Sequence, residues 1–449
     1  MLEISGQKVW HRPFKNAGKL LVGRGVQGVL SIAYLAFATR TLGAIDFGVL
    51  TLIHSSILLL RHVFGFQSWQ MVLRFGAKAL EAKDAAHMLK LIFFAASIEF
   101  AAGFIGFVGL CIFSAEVLDV LNIYKWLKPM LCIYASMLVV LLVSDVGLGI
   151  LRLTNRHDFI SWQVVIEPII RFFGAGALFL FGGTLTQFLW VWFIAGIASR
   201  IGLILIAGAN LKTHIKTIRK DAKLENLAIP PIQKGKFRSP QEGLWKYVIG
   251  TNVDYALSLG ITQLGPVLIG GALGPAAAGL YRVAQQFANI IGHPIGKMLL
   301  PAIYTDMTWL NAKGGAADRR NMVFKTGLVA GAGACVAVAI LALFGKPLIG
   351  LIAGHEFEGA YGVMLVLAFS TVVGALSFAL EPLLMTAGKV KQVIGARLIA
   401  TVAYIIMLLW WAEVWGLMGA GYAVLARALI FIVFAWIPSR KLLAKEATL

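Results

Sequence analysis

Apolar runs of about twenty residues recur along the chain between short polar interruptions, the length a helix needs to cross the hydrocarbon of a bilayer. They lie near 20–40, 46–66, 90–113, 127–151, 160–181 and 186–208. After a longer polar interval they resume near 246–270, 276–300, 323–344, 361–385, 391–412 and 416–437. The pattern predicts an all-α polytopic membrane protein of about twelve transmembrane helices.

A tight polar turn occurs twice. Thr39 to Leu52 reads TRTLGAIDFGVLTL and Gly270 to Gln286 reads GGALGPAAAGLYRVAQQ, so LGxxxxG at Leu42–Gly48 returns at Leu273–Gly279, 231 positions later. The same offset carries Ser31 onto Thr262, His54 onto Gln285, Ser55 onto Gln286, His62 onto His293 and Gly65 onto Gly296. Polar residues inside apolar helices do not align by accident of composition, so the chain is expected to be a duplicated six-helix unit. Its parts are an N-terminal bundle over 1–208, a basic cytoplasmic linker over 209–245, and a C-terminal bundle with a short cytoplasmic tail over 246–449.

Within the spans the polar residues form stripes. Arg24, Gln27, Gly28, Ser31 and Tyr34 follow i, i+3, i+4, i+7, which is one helical face. His54 and Arg61 are seven apart, as are Ser55 and His62; Arg282, Gln285, Gln286, Asn289 and His293 form the longest stripe, and Asn252, Tyr255, Ser258 and Thr262 form another. Two polar helices from each repeat predict a hydrated cavity at the repeat interface. Arg24, Arg61 and Arg282 make it cationic, His54, His62 and His293 can add charge, and Asp254 is the acidic residue of the same helices. Such a cavity favours an anion, and the planar fork of Arg suits phosphate. The alternative for Arg24 and Arg61 is that they snorkel to headgroups from near the helix ends.

Other ionisable residues inside the spans are costly unless paired or facing water. Gln163, Glu167 and Arg171 recur every four residues, and Glu167 with Arg171 reads as a mutually neutralising structural pair. Asp145, Glu167, Asp254 and Glu381, with Glu99, are the candidates for carrying a coupling proton or sodium ion. Arg200, Arg397 and Arg427 lie in helices without extended stripes, where packing or snorkelling suffices.

Composition sharpens this picture. The chain is 59% hydrophobic and 14% charged, with a mean hydropathy of +0.82, whereas ordinary soluble domains are roughly 25% charged. The net charge of +19 does not indicate nucleic acid, because Lys and Arg sit between the apolar runs. Alternate loops hold them (Arg74, Lys78, Lys83 and Lys90; Arg152 and Arg156; Lys313, Arg319, Arg320 and Lys325; Lys389 and Lys391), while the opposite loops hold only Lys125 and Lys346. By the positive-inside rule the basic loops and both termini are cytoplasmic. The 209–245 interval is the most basic of all, with Pro230, Pro231 and Pro240; its expected contact is the anionic membrane surface, with a synthetic-enzyme partner as the alternative. Cys111, Cys132 and Cys335 form no disulfide framework. His355, Glu356 and Glu358 lack a second His at helical spacing, and no GxxxxGK[ST] occurs, so neither metal, nucleotide cofactor nor catalytic residue is expected.

The basic first helix running into TRTLGAIDFGVLTL, the segment FGFQSWQMVLRFGA at Phe64 to Ala77, and the recurrence LGPAAAGLYRVAQQ together resemble the polysaccharide (O-antigen or exopolysaccharide) flippases of the multidrug/oligosaccharidyl-lipid/polysaccharide (MOP) exporter superfamily. The resemblance implies two six-helix bundles in a V, opening alternately to the two sides of the bacterial inner membrane. It implies a lipid-linked substrate, an undecaprenyl-diphosphate-linked glycan, with polymerase or glycosyltransferase machinery as further partners. Lipid II flippases of that superfamily place cavity arginines on the first, second and eighth helices, where Arg24, Arg61 and Arg282 stand here. The same fold also serves cation-coupled multidrug exporters, for which the cavity arginines are unsuited. A membrane polymerase would need a catalytic loop, and the short outer loops without a DxD cluster disfavour it.

Overall fold

The computed structural model of the protein describes residues 6–224, 244–292 and 315–444, with isolated positions between 303 and 310. Every regular element among the described residues is a helix. The chain runs through α1 (Gly6–Phe64), α2 (Ser68–Glu81), α3 (Ala85–Ile112), α4 (Ser114–Val120), α5 (Lys128–Ala135), α6 (Met137–Leu153), α7 (His157–Phe181), α8 (Leu185–Leu224), α9 (Leu244–Leu273), α10 (Pro275–Gly292), α11 (Ala316–Ala353), α12 (Ala360–Leu376), α13 (Leu380–Thr386) and α14 (Val390–Ala444). Helix α8 continues the sixth apolar run to Leu224, and the remainder of the basic interval, 225–243, lies outside the described residues.

Among the described residues, seven helices are long and apolar enough to cross a membrane, or eight if the bent pair α12 and α13 counts as one. Two of these, Gly25–Glu81 and Val390–Ala444, have 57 and 55 residues. At 1.5 Å per residue each would be roughly 80 Å long if straight, against a hydrocarbon core of about 30 Å. Each is instead broken at a glycine: α1 at Gly43 (φ 67°, ψ −178°) and α14 at Gly416 (φ 57°, ψ −141°). The tight turn expected between the first and second spans is therefore a single-residue break at Gly43.

The described residues form two compact units. The first comprises 1–41 and 53–260, the second 42–52 and 261–449. In the first, α2, α3, α6 and α8 enclose an apolar core that includes Met71, Val72, Leu91, Phe94, Ile150 and Leu203. Large apolar side chains such as Phe93, Phe104 and Ile105 stand exposed on the other side of α3, the expected lipid-facing surface of a spanning helix. Helices in lipid associate through close packing because the tails are as apolar as Leu. Accordingly, a Cβ built on Gly103 would come within 2.8 Å of the Val139 Cα.

The break between α1 and α2 is held by a buried carboxylate. Glu99, fully buried on α3, accepts the backbone N–H of Phe66 (3.3 Å) and of Ser68 (3.1 Å), satisfying two donors at the start of α2. Gln67 adopts a left-handed conformation there (φ 54°) and its Oε1 accepts the Trp69 indole N–H at 2.9 Å. Glu99 thus has a structural duty that accounts for its presence in a span.

Within the second unit the duplicated turn meets itself. Gly43 and Gly274, related by the 231-residue offset, both have positive φ (67° and 88°), which only glycine adopts without strain. Gly48 and Gly279 are the next pair: a Cβ on Gly48 would collide with the carbonyl oxygen of Pro275, and one on Gly279 would lie 2.8 Å from the carbonyl of Ala44. Ala44 and Pro275 are themselves related by the same offset. The contact is reciprocal, as at a two-fold axis, and LGxxxxG is the motif that makes it. The turn is closed by Glu356, whose Oε2 accepts from Ala44 N at 3.2 Å, and by Phe357 packed edge-on against Phe47.

Candidate functional site

Helix α7 carries Gln163, Glu167 and Arg171 at intervals of four, on one face. Between them Pro168 supplies no N–H, which leaves the Val164 carbonyl without its helical donor. This face borders a cavity of about 680 Å³ inside the first unit. Polar side chains reach it from four helices: Gln27, Ser31 and Tyr34 from α1, Arg152 from α6, His157 and Ser161 beside the α7 stripe, and Ser199 and Arg200 from α8.

The stripe is tied together. Arg171, 6% exposed, lies 2.5 Å from Glu167 Oε1, and the second oxygen of Glu167 is 3.9 Å from Arg200. The other neighbour of Arg171 Nη2 is His54 Nε2, at 3.2 Å, while His54 Nδ1 lies 2.8 Å from the buried hydroxyl of Tyr134. A guanidinium only donates, so Nε2 accepts and the ring proton sits on Nδ1, donating to Tyr134. The guanidinium of Arg171 also lies over the Trp192 and Tyr34 rings, at 5.1 and 5.7 Å from their centroids. Gln163 donates to Ser199 Oγ at 2.8 Å, fixing α7 to α8.

The remaining sequence-predicted residues divide between the units. In the first, Arg61 forms a 2.7 Å ion pair with buried Asp145, so a proposed substrate ligand and a proposed ion carrier are partners. His62 donates through Nδ1 to the Leu58 carbonyl of its own helix at 2.5 Å. In the second unit, Arg282 donates to Gln285 Oε1 at 2.9 Å and Gln285 donates onward to the Thr262 carbonyl at 3.2 Å; Gln286 and Asn289 follow on α10, half-buried. Glu381 is paired with Arg397 at 2.9 Å. The side chains of Arg24 and Asp254, and all of His293, lie outside the described residues.

Sequence reasoning does not find the cavity arginines Arg152 and Arg200. It leaves Arg200 to packing or snorkelling, because its helix has no extended stripe, and counts Arg152 only as a loop charge. The available signal was Ser199-Arg200, a polar pair in the middle of an apolar run. Glu167 with Arg171 is paired as expected, but the pair faces a cavity and not a closed core.

A multi-pass helical protein with arginine–carboxylate pairs around an internal cavity has the build of a membrane transporter. Comparisons agree. An inward-facing multidrug resistance MATE transporter of the MOP superfamily superposes with a TM-score of 0.71, 11% identity, and coverage of 93% of this chain and 94% of that one. The lipid II flippase MurJ, in an inward closed conformation, gives a TM-score of 0.57, 11% identity, and coverage of 88% and 87%. The inner membrane protein YghQ of Escherichia coli K12 is 28% identical over 364 residues, which cover 78% of this chain and 95% of YghQ.

The fold is thus the one seen in transporters of the MOP superfamily. The chain belongs to the polysaccharide biosynthesis protein family, whose model matches residues 14–304.

Proposed function

We propose that this chain is a flippase that carries an undecaprenyl-diphosphate-linked oligosaccharide, an O-antigen or exopolysaccharide repeat unit, across the bacterial inner membrane by alternating access. The family match, the fold shared with a lipid II flippase, and the likeness to an inner membrane protein support this reading. The observation that carries it is the charge of the cavity in the first unit. Arg152, Arg171 and Arg200 face it with Glu167 as the opposing carboxylate, three positive charges against one negative. A diphosphate entering this hollow would find guanidinium forks to replace its water, with Gln27, Ser31, Ser161 and Tyr34 available to sugar hydroxyls. The prenyl tail stays in lipid, so the charged and hydroxylated head is the part the protein must shelter, and no covalent chemistry is needed.

Arg24, Arg61 and Arg282, with His54, His62, Gln285, Gln286, Asn289 and His293, remain the residues proposed along the substrate's route, and Asp145, Glu167, Asp254 and Glu381 those proposed to couple an ion. Three of these carboxylates already face arginines. A proton or sodium ion taken up at Asp145 would release Arg61 to a phosphate, and this exchange is the proposed coupling step.

The test replaces Arg61, Arg171, Arg200 and Arg282 singly with Gln in a host that depends on this chain for surface polysaccharide, at matched protein levels. The proposal expects loss of export and accumulation of the lipid-linked glycan for Arg171 and Arg200 at least. Normal export in all four variants overturns it. Drug efflux conferred on a susceptible host, with no effect on polysaccharide, would favour the multidrug exporter instead.

A further inference from the structure

The second unit holds another hollow, chemically unlike the cavity of the first. It is a groove of about 400 Å³ formed where the two ends of α14 come together. Lys389, Gln392, Gly395 and Ile399 contribute from the start of the helix, and Phe434, Ile437, Pro438 and Lys441 from its end. Residues some fifty positions apart share this groove because the helix is broken at Gly416.

Its two ends differ. One carries Lys389 and Lys441 with no carboxylate in the lining; Glu381, on α13, is committed to Arg397. Lys389 also immediately precedes the first turn of α14, where the helix dipole is positive. The walls leading away are Ile399, Phe434 and Ile437, all exposed on spanning segments. Pro438 has no N–H, so the Phe434 carbonyl is left without its helical donor beside the groove. At Gly395 a Cβ would meet nothing within 4 Å, which marks open space.

We propose that this groove is a binding site for one anionic glycerophospholipid, its phosphodiester held by Lys389 and Lys441 and an acyl chain laid along Ile399, Phe434 and Ile437. Two ammonium groups with no carboxylate among the described lining residues favour a head of net negative charge, since the choline or ethanolamine of a zwitterionic lipid would bring a like charge to them. Basic pockets at the ends of spanning helices bind acidic headgroups for this reason. The groove is separate from the proposed route of the glycan, and the inference does not rest on that reading.

The experiment uses the full chain purified in detergent, with phosphatidylglycerol or phosphatidylcholine added back. Thermal unfolding measures stabilisation and native mass spectrometry counts retained lipid. Phosphatidylglycerol is expected to stabilise the wild type and to be retained at one copy in preference to phosphatidylcholine. The double variant Lys389→Ala/Lys441→Ala should bind it on the order of tenfold more weakly. Gly395→Leu, which fills open space, should lose the bound copy and keep the fold, while Gly374→Leu on α12, also facing open space, should retain it. Equal binding of both lipids, or an unchanged double variant, overturns the proposal. Displacement of phosphatidylglycerol by farnesyl diphosphate at lower concentration also overturns it, because the groove would then belong to a prenyl diphosphate.

Discussion

Among the described residues, the two copies of the repeat share a turn, while the polar contacts inside the two units differ. At the turn, Gly43 and Gly274 have the same unusual backbone, and Gly48 and Gly279 approach opposite copies of the same carbonyl. Inside, the first unit strings Tyr134, His54, Arg171, Glu167 and Arg200 along a polar cavity. The second unit offers a short chain from Arg282 through Gln285 to Thr262, one Glu381–Arg397 pair, and an outward groove with charge at one end. A backbone contact without side chains constrains both copies equally, because any added carbon strikes a carbonyl. Interior side chains are under no such shared constraint, and a charge retained in one copy need not be matched in the other.

The largest effect that would sharpen this contrast is at Arg171. Arg171→Leu takes the 2.5 Å partner from the partly buried Glu167 and leaves it the 3.9 Å contact to Arg200, which should cost about 1–3 kcal/mol of stability. The double variant Glu167→Gln/Arg171→Leu should recover most of that stability without recovering export. Thermal unfolding and glycan export measured on the same preparations separate the two, and a stable, active Arg171→Leu would end the claim that the first interior is specialised.

Next come the glycines. Gly48→Ala drives a methyl into the Pro275 carbonyl and should destabilise by about 1–3 kcal/mol, and Gly279→Ala should do likewise against Ala44. If the crossing is symmetric, the two losses are similar; a wide difference in melting temperature would break the comparison.

The Arg61–Asp145 pair should show a coupling energy of about 1–3 kcal/mol in a double-variant cycle of Arg61→Gln and Asp145→Asn. The corresponding cycle at Arg397 and Glu381 should give less, since Glu381 is one-third exposed.

The smallest effect belongs to the loop that closes the turn. A hydrogen bond from His355, with Lys346 nearby, holds the Glu358 carboxyl below its ordinary value. Its contribution is present above the unfolded carboxylate value of about 4.3 and is lost as pH falls through the lower folded value. Wild type and Glu358→Gln should therefore differ slightly in melting near neutrality and converge in acid.

Much of this architecture was legible in the residues. The apolar run lengths give a multi-pass helical protein, because nothing but a bilayer can cover so much apolar surface. The LGxxxxG recurrence gives the duplication, because glycine at two fixed spacings serves a backbone need that no other residue meets. The four-residue spacing of Gln163, Glu167 and Arg171 places them on one face. The sequence also names Asp145, Glu99 and Glu381 as unusual, since a charge in a span requires a reason.

What the reasons are, only the tertiary structure decided. Partners such as Arg61 with Asp145, or Glu99 with the start of α2, are separated by tens of residues, and no local spacing encodes which of several arginines a carboxylate meets. Arg200 belongs to the cavity because α8 packs on α7, a contact between helices and not a property of either. Periodicity is a one-dimensional signal and determines which face of a helix is polar; what that face meets depends on the packing of all the helices together.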